Sequence, residues 1–140
     1  MLLSGYVWSG EESKFLEETK NEPEIPSLLQ IDGIKDFIAN QKPYLNSNMT
    51  INKLAMQTGI SARELSFIIN QGFGQNFFDF ICDYRINYTK DLLKQPEKIR
   101  AILDVMYDSG FNSKSVFNTA FKQKTSMTPS QYRTTAQKGS

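Results

Sequence analysis

The 140-residue chain contains one unit twice. When INKLAMQTGISARELSFIINQGFGQNFFDF is laid over ILDVMYDSGFNSKSVFNTAFKQKTSMTPSQY, Leu54, Ala55 and Gly59 align with Val105, Met106 and Gly110 at an offset of 51 residues. After one inserted residue in the second turn, Leu65, Ile68, Ile69, Gly74 and Phe80 align with Phe117, Ala120, Phe121, Ser126 and Tyr132 at an offset of 52. Such a repeat limits the fold strongly, because a single supersecondary unit has to solve the burial of its apolar face twice.

Each part of the unit has a physical reading. In the first copy Ile51, Leu54 and Ala55 share one helical face, and Gly59 supplies a residue that can end a helix with positive φ. Ser61 then caps a second helix, Glu64 completes a capping box, and Ile60 with Leu65 forms a hydrophobic staple. Leu65, Ile68 and Ile69 turn inward, leaving Arg63, Ser66, Phe67 and Asn70 outside. A short helix, a tight turn and a second helix with a free polar face describe a helix-turn-helix. The second copy repeats this with Gly110, a cap from Asn112 or Ser113, and the inner face Phe117, Ala120 and Phe121. Its outer face is Lys114, Ser115, Asn118, Thr119 and Lys122. Thr128, Pro129 and Gln131 begin a further helix as cap, first position and box partner.

Between the copies, NFFDFICDYRINYTKDLL lacks Gly and Pro and places Phe77, Ile81, Tyr84, Tyr88 and Leu92 on one stripe. Its 18 residues would reach roughly 27 Å as a continuous helix, close to the roughly 34 Å between successive major-groove faces of a duplex. Pro96 ends it. Upstream, Ile34, Phe37 and Ile38 follow helical spacing up to Pro43. Strand signals are scarce, so the expected fold is all-α, with about seven helices forming two homeodomain-like helix-turn-helix subdomains joined by a long central helix. The expected bounds are 31–134 for the domain, with the first unit at about 51–71, the connecting helix at about 76–94 and the second unit at about 99–123. Residues 1–30 are expected as an acidic, flexible linker or stub, and 135–140 as a tail.

Charge divides the chain. Residues 1–42 carry four Lys against eight acidic side chains, a net −4, while residues 43–140 carry twelve basic against seven acidic, a net +5. From Ser109 onward five basic residues meet no Asp or Glu, which points to an anionic partner or to a solvated basic face. There is no histidine and the lone cysteine is Cys82, so a disulfide framework, a Cys/His zinc site and His-based acid–base chemistry are excluded. Cys82 lies near Phe80, Ile81 and Tyr84 and reads as a small core residue in a reducing, cytoplasmic setting. No phosphate-cradling loop, metal-ligand cluster or nucleophile–base pair is visible. The sequence therefore reads as a non-enzyme with no cofactor and no metal. The opening MLLSGYVW is too short to span a bilayer; it is a frayed terminus or the stub of a longer apolar segment, in which case the chain is the cytoplasmic portion of a membrane-anchored regulator.

From about Ile31 to Arg133 the chain resembles the AraC/XylS-type transcription regulators in their DNA-binding domain. The resemblance rests on Gly110-Phe111, Ser113, Phe117, Phe121-Lys122, Thr125, Thr128-Pro129-Ser130 and Tyr132-Arg133. A looser match covers Leu54-Ala55, Ser61, Leu65 and Tyr84 to Ile86. Three positions depart from the pattern: Ser126 stands where the family has Gly, Met106 replaces a small Ala, and Phe67 replaces a polar reader. That Phe would contact a thymine methyl or pack on a neighbouring element.

The resemblance implies that both second helices enter adjacent major grooves of double-stranded operator DNA. By position, the base-contact candidates are Arg63, Ser66, Phe67, Lys114, Ser115, Val116 and Thr119, with Arg63 and Lys114 able to address guanine. The phosphate-contact candidates are Ser61, Asn70, Ser113, Lys122, Lys124 and Arg133, which would orient the protein without reading sequence. RNA polymerase and an upstream sensor domain are the further partners expected of a regulator of this kind. The alternative is a helical protein–protein interaction module that has lost DNA reading.

Overall fold

The computed structural model describes residues 25–138. Those residues form seven α-helices: α1 (Leu28–Gln41), α2 (Ile51–Thr58), α3 (Ala62–Phe73), α4 (Phe77–Leu93), α5 (Ile102–Asp108), α6 (Lys114–Thr125) and α7 (Pro129–Lys138), with a short 3-10 turn at Pro43–Leu45. The fold is all-α with two helix-turn-helix units, α2–α3 and α5–α6, on either side of α4. The stretch MLLSGYVW and most of the expected acidic linker lie outside the described residues.

Two boundaries differ from expectation. Helix α1 starts at Leu28, three residues before Ile31, because Ser27 and Gln30 form a reciprocal capping box with N···O distances of 3.1 and 2.9 Å. At the other end α7 continues through Lys138, so residues 135–138 are helix rather than tail.

The local signals act as their chemistry requires. Gly59 ends α2 at φ 76°, and Ser61 Oγ accepts from the Glu64 amide at 3.1 Å, but the Glu64 side chain does not return to the Ser61 amide, so the expected capping box is only half made. Ser113, rather than Asn112, caps α6 by accepting from the Val116 amide at 3.3 Å. The box at the start of α7 is complete, since the Gln131 amide donates to Thr128 Oγ1 (3.2 Å) and the Thr128 amide donates to Gln131 Oε1 (2.9 Å). Ser126 takes the left-handed conformation itself, at φ 62°.

Packing produces one core per unit. The first gathers Ile34, Ile38, Tyr44, Met49, Leu54, Leu65, Ile68, Ile69, Phe80 and Ile81; the second gathers Cys82, Ile86, Leu93, Val105, Met106, Phe111, Phe117 and Phe121. Helix α4 serves both, packing against α3 on one side and against α5, α6 and α7 on the other. The single stripe expected on α4 is therefore wrong in detail. Phe77, Tyr84 and Tyr88 are half-buried against the first core and Leu92 against the second, whereas the fully covered positions include Phe80, Ile81, Ile86, Thr89 and Leu93. A helix clamped from two directions has no single buried stripe. Cys82 is buried in the second core, away from the Phe80–Ile81 set, and burial pushes its thiol pKa up.

Candidate nucleic-acid interface

The two second helices bury one face each and leave the other free. In α3, Leu65, Ile68 and Ile69 are inside while Ser61, Arg63 and Asn70 are exposed and Ser66 is half-buried. In α6, Phe117 and Phe121 are inside, and Lys114, Ser115, Val116, Asn118, Thr119 and Lys122 are exposed. At the offset of 52, Arg63 and Asn70 correspond to Ser115 and Lys122, all four exposed, whereas the half-buried Ser66 and Phe67 correspond to the exposed Asn118 and Thr119. Helix-start amides add favourable dipole ends for anions at Ser61 and Ser113, whose hydroxyl oxygens are engaged in capping while their O–H protons are free to donate. Asn70 Nδ2 donates to Ser66 Oγ at 3.4 Å, so these two neighbours orient one another.

Three of the residues expected to meet DNA are held otherwise. Phe67 is half-buried and packs against the first core, which realises its packing alternative. The Lys124 ammonium lies 2.6 Å from Asp83 Oδ1, and Gln75 Nε2 donates to Asp83 Oδ2 at 2.6 Å. Lys124 is therefore turned toward α4 by a partner 41 residues away in the chain. Arg133 donates through Nη1 to the Arg100 carbonyl, tying α7 to the segment before α5. Beside Lys124, the residues Ser115, Val116 and Thr119 also border a cleft of about 470 Å³ whose α4 wall includes Phe78, Asp79 and Cys82.

A buried arginine that sequence reasoning left as a family match joins the 3-10 turn to the central helix and the second unit. Arg85 sits on α4 between the cores, donating through Nε to the Tyr44 carbonyl at 2.7 Å and through Nη2 to the Asn46 carbonyl at 2.9 Å. Its guanidinium also lies 5.7 Å from the centre of the Phe111 ring in the second unit. Burial pulls its pKa down from the ordinary value, but a guanidinium stays charged, so the bonds to two carbonyl dipoles are what make its burial tolerable. The available signal was its spacing: Arg85 lies four residues from both Ile81 and Thr89, on the inner face of a helix, where an unpaired charge demands a partner. Gly110 completes the junction. A Cβ there would stand 2.2 Å from the Tyr44 carbonyl oxygen and 3.0 Å from Arg85 Nε, so only glycine allows the approach.

Two capped second helices, each with an exposed face, packed around a shared central helix, define a helix-turn-helix DNA-binding domain of the kind found in transcription regulators. A protein-family model described as a helix-turn-helix domain matches residues 54–135, and the chain belongs to this family in its AraC-type form. It is similar to the melibiose operon regulatory protein of Escherichia coli K12, with 27% identity over 98% of this chain and 45% of that protein. The chain thus spans about half the length of that relative. Among solved structures it is similar to the C-terminal domain of AraT, a response regulator from Geobacillus stearothermophilus, with TM-score 0.63 and 27% identity over 75% of this chain and 84% of that one. It is also similar to the C-terminal domain of the two-component response regulator yesN from Fusobacterium nucleatum, with TM-score 0.59 and 29% identity over 71% of this chain and 97% of that one. Family and relatives are transcription regulators rather than enzymes. No helix among the described residues is long and apolar enough to cross a membrane.

Proposed function

We propose that the chain is the sequence-reading part of a transcription regulator, in which α3 and α6 enter adjacent major grooves of double-stranded DNA on one side of the duplex. The observation that supports this reading is the matched exposure of the two helices: Arg63 and Asn70 on α3 and their repeat equivalents Ser115 and Lys122 on α6 are all exposed, opposite the buried faces around Leu65 and Phe117. Arg63 on α3 and Lys114 on α6 are the residues suited to guanine edges, with Ser66, Ser115, Val116 and Thr119 as less selective contacts. Ser61, Asn70, Ser113 and Lys122 serve as phosphate contacts that set register. Lys124 and Arg133, already engaged within the protein, take a smaller share. At about 25 Å for its 17 residues, α4 has the length to space the two readers by nearly one turn of duplex. An upstream sensor domain and RNA polymerase are the further partners of such a regulator.

Selection of bound duplexes from a random pool tests the reading. The expected result is a preferred site with two conserved blocks about one helical turn apart, roughly 10 base pairs. Recovery of a single short block would remove one of the two readers from the proposal. A helical interaction module is the second reading, favoured by the packed Phe67 and by Asp79 and Asp83 beside α6. Salt separates the two, since affinity for random duplex that falls steeply between low and moderate salt reports phosphate contacts. Tight binding to a protein with none to duplex would support the module.

A further inference from the structure

The outer face of α6 holds a side chain to which the function proposed above gives no task. Asn118 lies one helical turn after Lys114 and one before Lys122, so the three form a stripe along the exposed side. Its carboxamide is exposed and makes no hydrogen bond within the described residues. Phe117, next to it, and Phe121, three residues on, are both buried in the second core. The backbone that carries Asn118 is therefore held in place while the amide is free.

The repeat makes the position more telling. At the offset of 52 residues Asn118 corresponds to Ser66 on α3, which is half-buried and accepts from Asn70 Nδ2 at 3.4 Å. The first unit thus has a short hydroxyl, partly covered and already bonded, where the second presents an unengaged planar amide. Asn118 is also the fifth residue of α6, about 6 Å along the axis from Lys114, in the half of the helix that a helix-turn-helix lays against base edges. Gln123, the other exposed carboxamide on α6, lies about 14 Å along the axis and borders the cleft toward α4.

The chemistry of the neighbours sets this amide apart. Lys114 and Lys122 can only donate. Ser115 and Thr119 each carry a hydroxyl that rotates to donate or accept, and so tolerates several base edges. A carboxamide presents a donor and an acceptor at once in one plane, a pair complementary to the N7 acceptor and N6 donor of adenine in the major groove. We propose that Asn118 is a specificity-determining residue of α6, its Oδ1 accepting from adenine N6 and its Nδ2 donating to N7. The proposal rests on α6 being a DNA-reading helix. It follows that α6 requires an A·T pair at one position of its block, a demand that Ser66 does not impose at the corresponding place in the block of α3.

The test measures wild type and Asn118→Ala against the selected duplex and a panel in which each of its base pairs is changed in turn. The side chain is exposed and unbonded, so the variant is expected to melt at the same temperature as wild type. Wild type is expected to lose roughly tenfold in affinity when one particular A·T pair is changed, and several-fold when its adenine becomes 7-deazaadenine, which lacks N7 but keeps the pairing. Asn118→Ala should bind the selected duplex roughly tenfold more weakly and discriminate less than about twofold at that one position, with its other preferences intact. Weakening spread equally over all duplexes would overturn the proposal in favour of a phosphate contact. Preference lost at a G·C pair instead would overturn the adenine assignment. Affinities equal to those of wild type throughout would overturn the proposal while leaving DNA reading by α6 intact. A wild type with no preference for any duplex would overturn it together with the DNA reading on which it rests.

Discussion

Arg85 Nε donates to the Tyr44 carbonyl across 2.7 Å, joining the central helix to a 3-10 turn 41 residues earlier in the chain. The same side chain reaches the Asn46 carbonyl and faces Phe111, so one guanidinium links the 3-10 turn beside the first core to the second helix-turn-helix unit. Arg85→Met would leave two carbonyls without their charged donor, and is expected to cost about 2–4 kcal/mol in urea denaturation. Arg85→Lys should recover less than half of that, because an ammonium cannot reproduce the two-pronged fork. A lysine variant as stable as wild type would show that charge alone, without the fork geometry, suffices.

Gly110 and Gly59 both have positive φ, at 93° and 76°, but their surroundings differ. A Cβ at Gly59 meets nothing within 4 Å, whereas one at Gly110 collides with the Tyr44 carbonyl. Gly59→Ala is therefore expected to cost about 1–2 kcal/mol, the backbone strain alone. Gly110→Ala should cost clearly more, about 3 kcal/mol or above, since the 3-10 turn must move and disturb the Arg85 bonds. Thermal melts of the two variants measure the difference; equal losses would mean that the junction is soft.

Ser126 holds a left-handed conformation at φ 62° with a Cβ in place. Ser126→Gly removes that strain at the end of α6 and is expected to stabilise the protein by about 0.5–1 kcal/mol, after allowance for the extra freedom of an unfolded glycine. A fall in denaturation midpoint would show that the Ser126 side chain contributes contacts that outweigh its backbone strain.

The lysines of the second reader should separate by role. Neutralising Lys114, at the start of α6, is expected to weaken the preferred duplex by about 1–3 kcal/mol and relax preference at one base position. Neutralising Lys122 should weaken all duplexes alike and reduce the salt slope by about one. Lys124→Ala should change the salt slope less than Lys122→Ala, because its ammonium is already 2.6 Å from Asp83. Mobility-shift titrations at several salt concentrations read all three; identical effects from the three lysines would refute the assigned geometry.

Much of the architecture was legible in consecutive residues. The helices, the caps at Ser61, Ser113 and Thr128, and the inner faces around Leu65 and Phe117 all depend on groups within four positions of one another, where helical periodicity and capping chemistry operate. The outward positions of α3 and α6 follow from those inner faces by geometry. Phe67 was ambiguous in sequence, because a half-apolar face can be covered or exposed depending on what packs beside it, and here it is half-buried against the first core.

The amino-acid order alone therefore determined that this protein is made of two capped helix-turn-helix units on a connecting helix, since those features arise from short-range sterics and hydrogen bonding. Tertiary structure decided how the units are joined and which cations remain available to a partner. Arg85 with Tyr44, Lys124 with Asp83 and Arg133 with Arg100 link residues 33 to 41 positions apart. Such pairings depend on where the folded backbone brings distant groups, and no local periodicity encodes that meeting.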